Sequence, residues 1–111
     1  MRRYVPERGD TAWLDLPPQA GHEQSGRRPV LVLSPRRYNE RTGMAIVCPL
    51  TSNVKGYPFE VPSSIGGREG AVLADHVRSI DWVARRARRI NRAPTAIVDR
   101  VAALIASLIS A

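Results

Sequence analysis

The segment "GHEQSGRRPVLVLSP", Gly21 to Pro35, runs from a polar loop directly into an apolar strand. It brings His22, Glu23, Gln24, Arg27 and Arg28 to the mouth of that strand. Arg28 precedes Pro29, which biases its backbone toward an extended conformation. Glu23 lies five positions earlier, within folding-back reach. A second apolar run, "MAIVCPLT", closes on Thr51 and is followed by Ser52, Asn53 and Lys55. If the two runs are neighbouring strands, one end of a sheet presents Glu23, Arg28, Thr51 and Ser52 together. Such a set suits phosphate chemistry without a metal: Arg supplies bidentate charge to non-bridging oxygens, Thr donates a hydroxyl, and a carboxylate accepts a proton. The same residues also fit a plain anion-binding site, or a surface salt bridge between Glu23 and Arg28.

Other chemistries find little support. One cysteine and two histidines, His22 and His76, lack the paired spacing of a metal site. There is no Gly-rich phosphate loop, nucleophile elbow or zinc-protease helix motif. Cys48 lies within an apolar strand, where it reads as a small buried hydrophobe, and a lone cysteine fits a reducing cytosol. The start "MRRYVPERGD" has no apolar core of a secretory signal. The stretch from Ala93 to Ala111 is interrupted by Asp99 and Arg100 and is short for a membrane span, so a soluble, cytoplasmic protein is expected.

The 111 residues suffice for a single domain, 1–111, with one modest core. Net charge is +7, and every cation except Lys55 is arginine. Arginine's planar donor fork suits phosphate and carboxylate, so the balance suggests a polyanion or an acidic partner. Arginine richness can equally reflect the base composition of a genome.

To position these residues the chain offers several short strands. "TAWLDL" follows the turn signal Gly9-Asp10, "PVLVLS" is a buried strand, and "MAIVCPLT" is a third, with Pro49 marking an edge or bulge. "RRYNERTG" reads as a helical turn or loop. "PFEVP" and "AVLA" add two strands around "SSIGGREG", whose three glycines supply a tight connection. "DHVRSIDWVA" reads as a bending strand. "RRARRINR", taken as a helix, shows cations nearly all round, a solvated face or a phosphate contact. The last segment is the clearest helix: Pro94 suits its first position, and Ile97, Val101, Leu104, Ile105 and Leu108 keep helical spacing. Its other faces carry alanines, so it needs broad cover, from the sheet and a second subunit in a homodimer or as a simple buried helix. Five or six strands and one helix make an α+β fold, a curled antiparallel sheet close to a small barrel.

In "RYVPERGDTAWLDL", "GHEQSGRRPVLVLSP", "YNERTGMAIVCPLT", "KGYPFEV" and "VLADHVRSIDW", the sequence resembles the MazF/PemK-like toxins of bacterial toxin–antitoxin pairs. The resemblance implies an SH3-like barrel of the MazF/CcdB type with a C-terminal amphipathic helix, forming a homodimer. It implies a metal-independent endoribonuclease, needing no cofactor, that cuts single-stranded messenger RNA at a short sequence. Products would carry a 2′,3′-cyclic phosphate (or 3′-phosphate) and a 5′-hydroxyl. Arg28 and Thr51 fall on the family's catalytic arginine and threonine, and Glu23 on an acidic residue tied to activity. An antitoxin would lay an acidic, partly disordered segment over the RNA groove. The loops holding Gln24, Arg27, Ser52, Asn53 and Lys55 would line the RNA path, and Trp13 would stack on a base or pack in the core. Arg27 stands where a relative carries His, so an imidazole is missing there, and His22 is a nearby substitute or a solvated loop histidine. Asp75 matches a recurrent position read as structural. The alternative within the same fold is a non-enzymatic CcdB-like toxin that binds DNA gyrase.

Overall fold

The computed structural model describes residues 3–16 and 26–111. Seven strands form one strongly curled antiparallel sheet: β1 (Asp10–Leu16), β2 (Gly26–Val32), β3 (Met44–Thr51), β4 (Glu60–Ile65), β5 (Arg68–Leu73), β6 (Arg78–Asp81) and β7 (Arg88–Arg92). Helix α1 (Arg36–Thr42) links β2 to β3, and helix α2 (Thr95–Ile109) ends the chain. The order is β4-β5-β3-β2-β1-β7, with β6 on β3. This is the α+β, barrel-like arrangement expected from the strand and helix patterns.

β3 is the pivot. Its first half pairs with β6, Met44 opposite Asp81, and its last residues pair with β5, Thr51 opposite Ala71. Between them Val30↔Pro49 is the last pair that β2 makes with β3. β2 lies along one edge of β3 and β6 and β5 along the other, and Pro49, which has no N–H, sits where that second edge passes from β6 to β5. The β4–β5 hairpin turns on Gly66 and Gly67 alone, at φ +56° and +87°, both left-handed as a two-residue hairpin requires. "SSI" and "REG" therefore belong to strands.

Alternation along the strands divides the apolar side chains into two clusters. Leu31, Cys48, Leu50, Val61 and Val72 face one way and are covered by Val98 and Val101 of α2. Ala12, Val30, Val32, Val47 and Trp82 face the other. Each fully buried Val or Leu contributes roughly 1.5–3 kcal/mol. The helix lies one residue later than the sequence suggested: Pro94 precedes it, and Val98 with Val101 is buried while Leu108 stays exposed. Buried Asn39 of α1 ties the pieces together. Its side-chain amide donates to Pro6 O (2.8 Å), and its carbonyl accepts from Trp82 Nε1 (2.9 Å).

The arginine run differs from expectation. Residues Arg88–Arg92 form an edge strand, β7, rather than a helix. β1 has a second edge to satisfy, and half-buried Ile90 packs against the α2-side cluster, so pairing overrides the helical reading of the run. "RRYNERTG" resolves into helix α1, and "DHVRSIDWVA" into a 3-10 turn at Ala74–His76 followed by β6. Among the described residues no helix is long and apolar enough to cross a membrane.

Candidate active site

Arg27 and Arg28 lie within β2, which starts at Gly26, rather than in the loop before it. Arg28 sits opposite Leu14 of β1. Continued two residues beyond Val30↔Pro49, the β2–β3 register sets Arg28 opposite Thr51, at the rim where the two strands cease to pair. The arginine and threonine therefore share one end of the sheet. Arg28 is exposed and has no ion-pair partner among the described residues.

Thr51 is half-buried, and its Oγ1 accepts a hydrogen bond from the Asn53 N–H (3.0 Å). An accepting hydroxyl still has its own proton to donate, and here no described residue takes it. A backbone contact fixes its position. A Cβ built on Gly70 of β5 would stand 2.7 Å from the Thr51 carbonyl oxygen and 2.7 Å from Ile65 Cδ1. The third glycine of "SSIGGREG" therefore serves close packing against the site strand rather than the turn.

The loop after Thr51 is held from below. Buried Glu60 accepts from the Lys55 N–H (3.1 Å to each oxygen) and the Gly56 N–H (2.6 Å). Ser52, Asn53 and Lys55 are exposed on that loop. Tyr57 OH donates to Asp75 (3.0 Å), which fits the structural reading of Asp75. Glu60 escaped the sequence reading, because a single acid at the head of a strand carries no motif.

Neighbouring strand residues face opposite sides. Arg28 shares the face of Leu14 and Val30, whereas Arg27 shares that of Trp13, with its guanidinium 4.2 Å from the Trp13 ring centroid. Trp13 packs against the α2-side cluster. Core packing thus accounts for its body, and Arg27 covers a ring face that a stacked base would need. Beside them Asp15 accepts from Arg88 Nη2 at 3.1 Å. Glu23, Gln24 and His22 lie outside the described residues.

Burial pushes the Cys48 thiol up to about 12, with the Asp75 carboxylate adding to the effect. It is a buried apolar residue.

A family model described as "PemK-like, MazF-like toxin of type II toxin-antitoxin system" matches residues 7–109. The chain belongs to this toxin family. It is 52% identical over 89 residues to the endoribonuclease toxin MazF of Escherichia coli K12, covering 80% of each chain. It is 37% identical over 99 residues to the endoribonuclease toxin ChpB of the same strain, covering 84% of each. Among solved structures, a chain of the MazE–MazF crystal structure (Form-III) from Deinococcus radiodurans superposes with a TM-score of 0.89 at 49% identity, covering 96% of this chain and 98% of that one. A MazF crystal structure (Form-I) from the same organism gives 0.84 at 51% identity, with 97% and 99% covered. The recognition from five sequence blocks and the barrel-like fold are both borne out. The loop of this toxin between Thr51 and Tyr57 and the strand end at Arg28 are carried by the same curled sheet that those MazF structures share.

Proposed function

We propose that this endoribonuclease toxin cuts single-stranded RNA, chiefly messenger RNA, at a short sequence by attack of the RNA's own 2′-hydroxyl. The 2′-oxygen bonds to the adjacent phosphorus, the bond from phosphorus to the 5′-oxygen breaks, and that oxygen leaves as a 5′-hydroxyl with a 2′,3′-cyclic phosphate behind it. The nucleophile is internal to the substrate, so neither water nor a metal ion is required for the step. Arg28 stabilises the charge growing on the phosphoryl oxygens. The Thr51 hydroxyl donates a hydrogen bond to one of them, Glu23 accepts the proton of the 2′-hydroxyl, and the departing 5′-oxygen takes up a proton from solvent. A guanidinium gives up its proton only above about pH 12, so Arg28 serves as an electrostatic clamp. The observation that carries this reading is the β2–β3 register, which ends at Val30↔Pro49 and, continued two residues, leads to Arg28 and Thr51 at one rim of the sheet. DNA lacks the 2′-hydroxyl and binds uncut.

The toxin acts in the cytoplasm as a homodimer of a single domain, residues 1–111, and is silenced by an antitoxin whose acidic, partly disordered segment covers the RNA path. Support comes from relatives of the same family solved as MazE–MazF complexes. Further support is an apolar groove of about 500 Å³ between Tyr38, Ile46, Val77, Ile105 and Ile109, which a second copy would cover.

The test is incubation with single-stranded RNA in EDTA, with mapping of both ends at each cut. Cleavage that survives chelation and leaves 5′-hydroxyl and cyclic-phosphate ends is expected. Arg28→Ala should abolish cutting while the far-UV spectrum persists. Intact RNA together with a blocked gyrase would replace this reading with that of a gyrase-binding toxin.

A further inference from the structure

A second cationic cleft lies away from the Arg28–Thr51 rim. Asp10, only 2% exposed, is its anchor. One carboxylate oxygen accepts from Tyr4 OH (2.6 Å) and from the Glu7 N–H (3.1 Å). The other lies 3.2 Å from Arg92 Nη1 and 3.5 Å from Arg89 Nε. Arginines three apart on a regular strand face opposite ways, but the β1–β7 register shifts at Thr11/Ala12. Asp10↔Arg92 and Ala12↔Arg89 then bring both guanidiniums to one face, and the same alternation along β1 places Leu14 and its partner Arg28 there too.

One buried carboxylate thus orients two guanidiniums and cannot neutralise both. Arg89 reaches Asp10 through Nε alone among the described contacts, which leaves its terminal fork for a ligand. Arg92 is held further by Glu7 (3.3 Å) and the Arg8 carbonyl (3.2 Å). Arg3 and Arg36 face the same cleft of about 560 Å³, and neither has an ion-pair partner among the described residues. Four guanidiniums therefore meet two carboxylates in one concave site. Val5 is the one aliphatic residue in the lining among the described residues. A peptide partner would need apolar anchors there, whereas phosphates need only charge and forked donors.

We propose that the cleft between Arg3, Arg36, Arg89 and Arg92 is a second RNA-binding site, holding backbone phosphates beyond the bond that is cut. This rests on the reading of the chain as an RNA-cutting toxin. Leu14, across from Arg28, is four residues along β1 from Asp10, about 13 Å. A strand of RNA bound at the rim therefore reaches the cleft only if it extends past the cleaved step. Substrates with a longer flank bind more tightly, and the gain is salt-dependent.

The test uses 2′-O-methyl oligonucleotides, which the 2′-hydroxyl route cannot cleave, carrying the sequence mapped with the parent toxin. One covers the cleavage site only and the other extends on both sides. Anisotropy titrations compare the parent with the Arg3→Ala/Arg36→Ala double variant, both positions being exposed. The variant should lose roughly tenfold in affinity for the long oligonucleotide, from two ion pairs of about 0.7 kcal/mol each. Its salt slope should flatten by about 0.7 for each phosphate released. Binding of the short oligonucleotide should match the parent. Equal losses on both lengths, or no loss on either, would overturn the second site while leaving the cleavage reading intact. So would loss of binding to polyglutamate with long-RNA binding preserved, which would mark the cleft as a site for an acidic peptide. A parent that binds neither oligonucleotide and leaves RNA intact would overturn both readings.

Discussion

Thr51 illustrates what a single side chain can be asked to do. Its oxygen already accepts from the Asn53 N–H, so the hydroxyl's remaining capacity is its proton. Removing the proton and keeping the shape, as in Thr51→Val, should lower single-turnover cleavage about 100-fold, the usual loss of one donor to a developing oxyanion. Thr51→Ser should stay within a few-fold of the parent. A Val variant that cuts as fast as the parent would take the hydroxyl out of the mechanism. Buried titratable groups give a second prediction at this scale. Burial, aided by Asp75, raises the Cys48 thiol from 9.0 to about 12, and burial together with the Asp10 hydrogen bond pushes the Tyr4 phenol above its ordinary 10.0. Both groups stay neutral in the fold where the unfolded chain ionises. Their stabilisation is complete below pH 9 or so and is lost as pH rises toward 12. Urea midpoints should therefore fall through that alkaline window, and less steeply for Cys48→Ala. Midpoints that hold level there would refute the assignment.

At the scale of elements, the site depends on how β3 changes partners. On one edge of β3 the β2 ladder ends at Val30↔Pro49, on the other β6 gives way to β5 at Leu50↔Val72, and the rim opens at this end of the strand. Gly70 permits β5 to approach there. Gly70→Ala would bring a methyl within 2.7 Å of the Thr51 carbonyl and of Ile65 Cδ1, so β3 or the β4–β5 hairpin must move, and the backbone oxygen makes β3 the expected one. The expected result is destabilisation of about 1–3 kcal/mol by urea unfolding, the usual cost of overpacking. Cleavage by the protein that remains folded should be slower, because Thr51 shifts. Unchanged stability and rate would mean that the hairpin yields instead of the site strand. This role was hidden in the sequence, where Gly70 stands in a glycine-rich stretch that reads as a turn. The turn needs only Gly66 and Gly67. β7 was hidden for a related reason, since five arginines in eight residues dominate the local pattern while Ile90 alone reports the buried side.

For the molecule as a whole, α2 covers one face of the sheet and leaves Ile105, Ala106 and Ile109 along a groove shared with Tyr38 of α1. Ile109 is 77% exposed in the isolated chain. Its burial against a second copy is the simplest way to remove that apolar surface from water. Sedimentation should report a dimer for the parent and a monomer for Ala106→Arg/Ile109→Asp, with the far-UV spectrum retained. A variant that still sediments as a dimer would place the interface elsewhere. The helix that announces this surface was legible, because Ile97, Val101, Leu104 and Ile105 recur at helical spacing.

Sequence alone determined the local features and the family. A turn signal and apolar runs marked β1, β2 and β3, spacing marked α2, and five ordered blocks identified a MazF/PemK-like toxin together with the arginine and threonine worth following. Tertiary structure decided what depends on register between distant segments. It brought the ends of β2 and β3 that carry Arg28 and Thr51 to one rim, put Arg27 on the opposite face over Trp13, fitted Gly70 against β3, and turned Arg89 and Arg92 onto one buried aspartate. The physical reason is that a strand's side chains alternate every residue, so each of these meetings depends on a pairing offset. That offset is chosen by burial across the whole sheet, and no local pattern carries it.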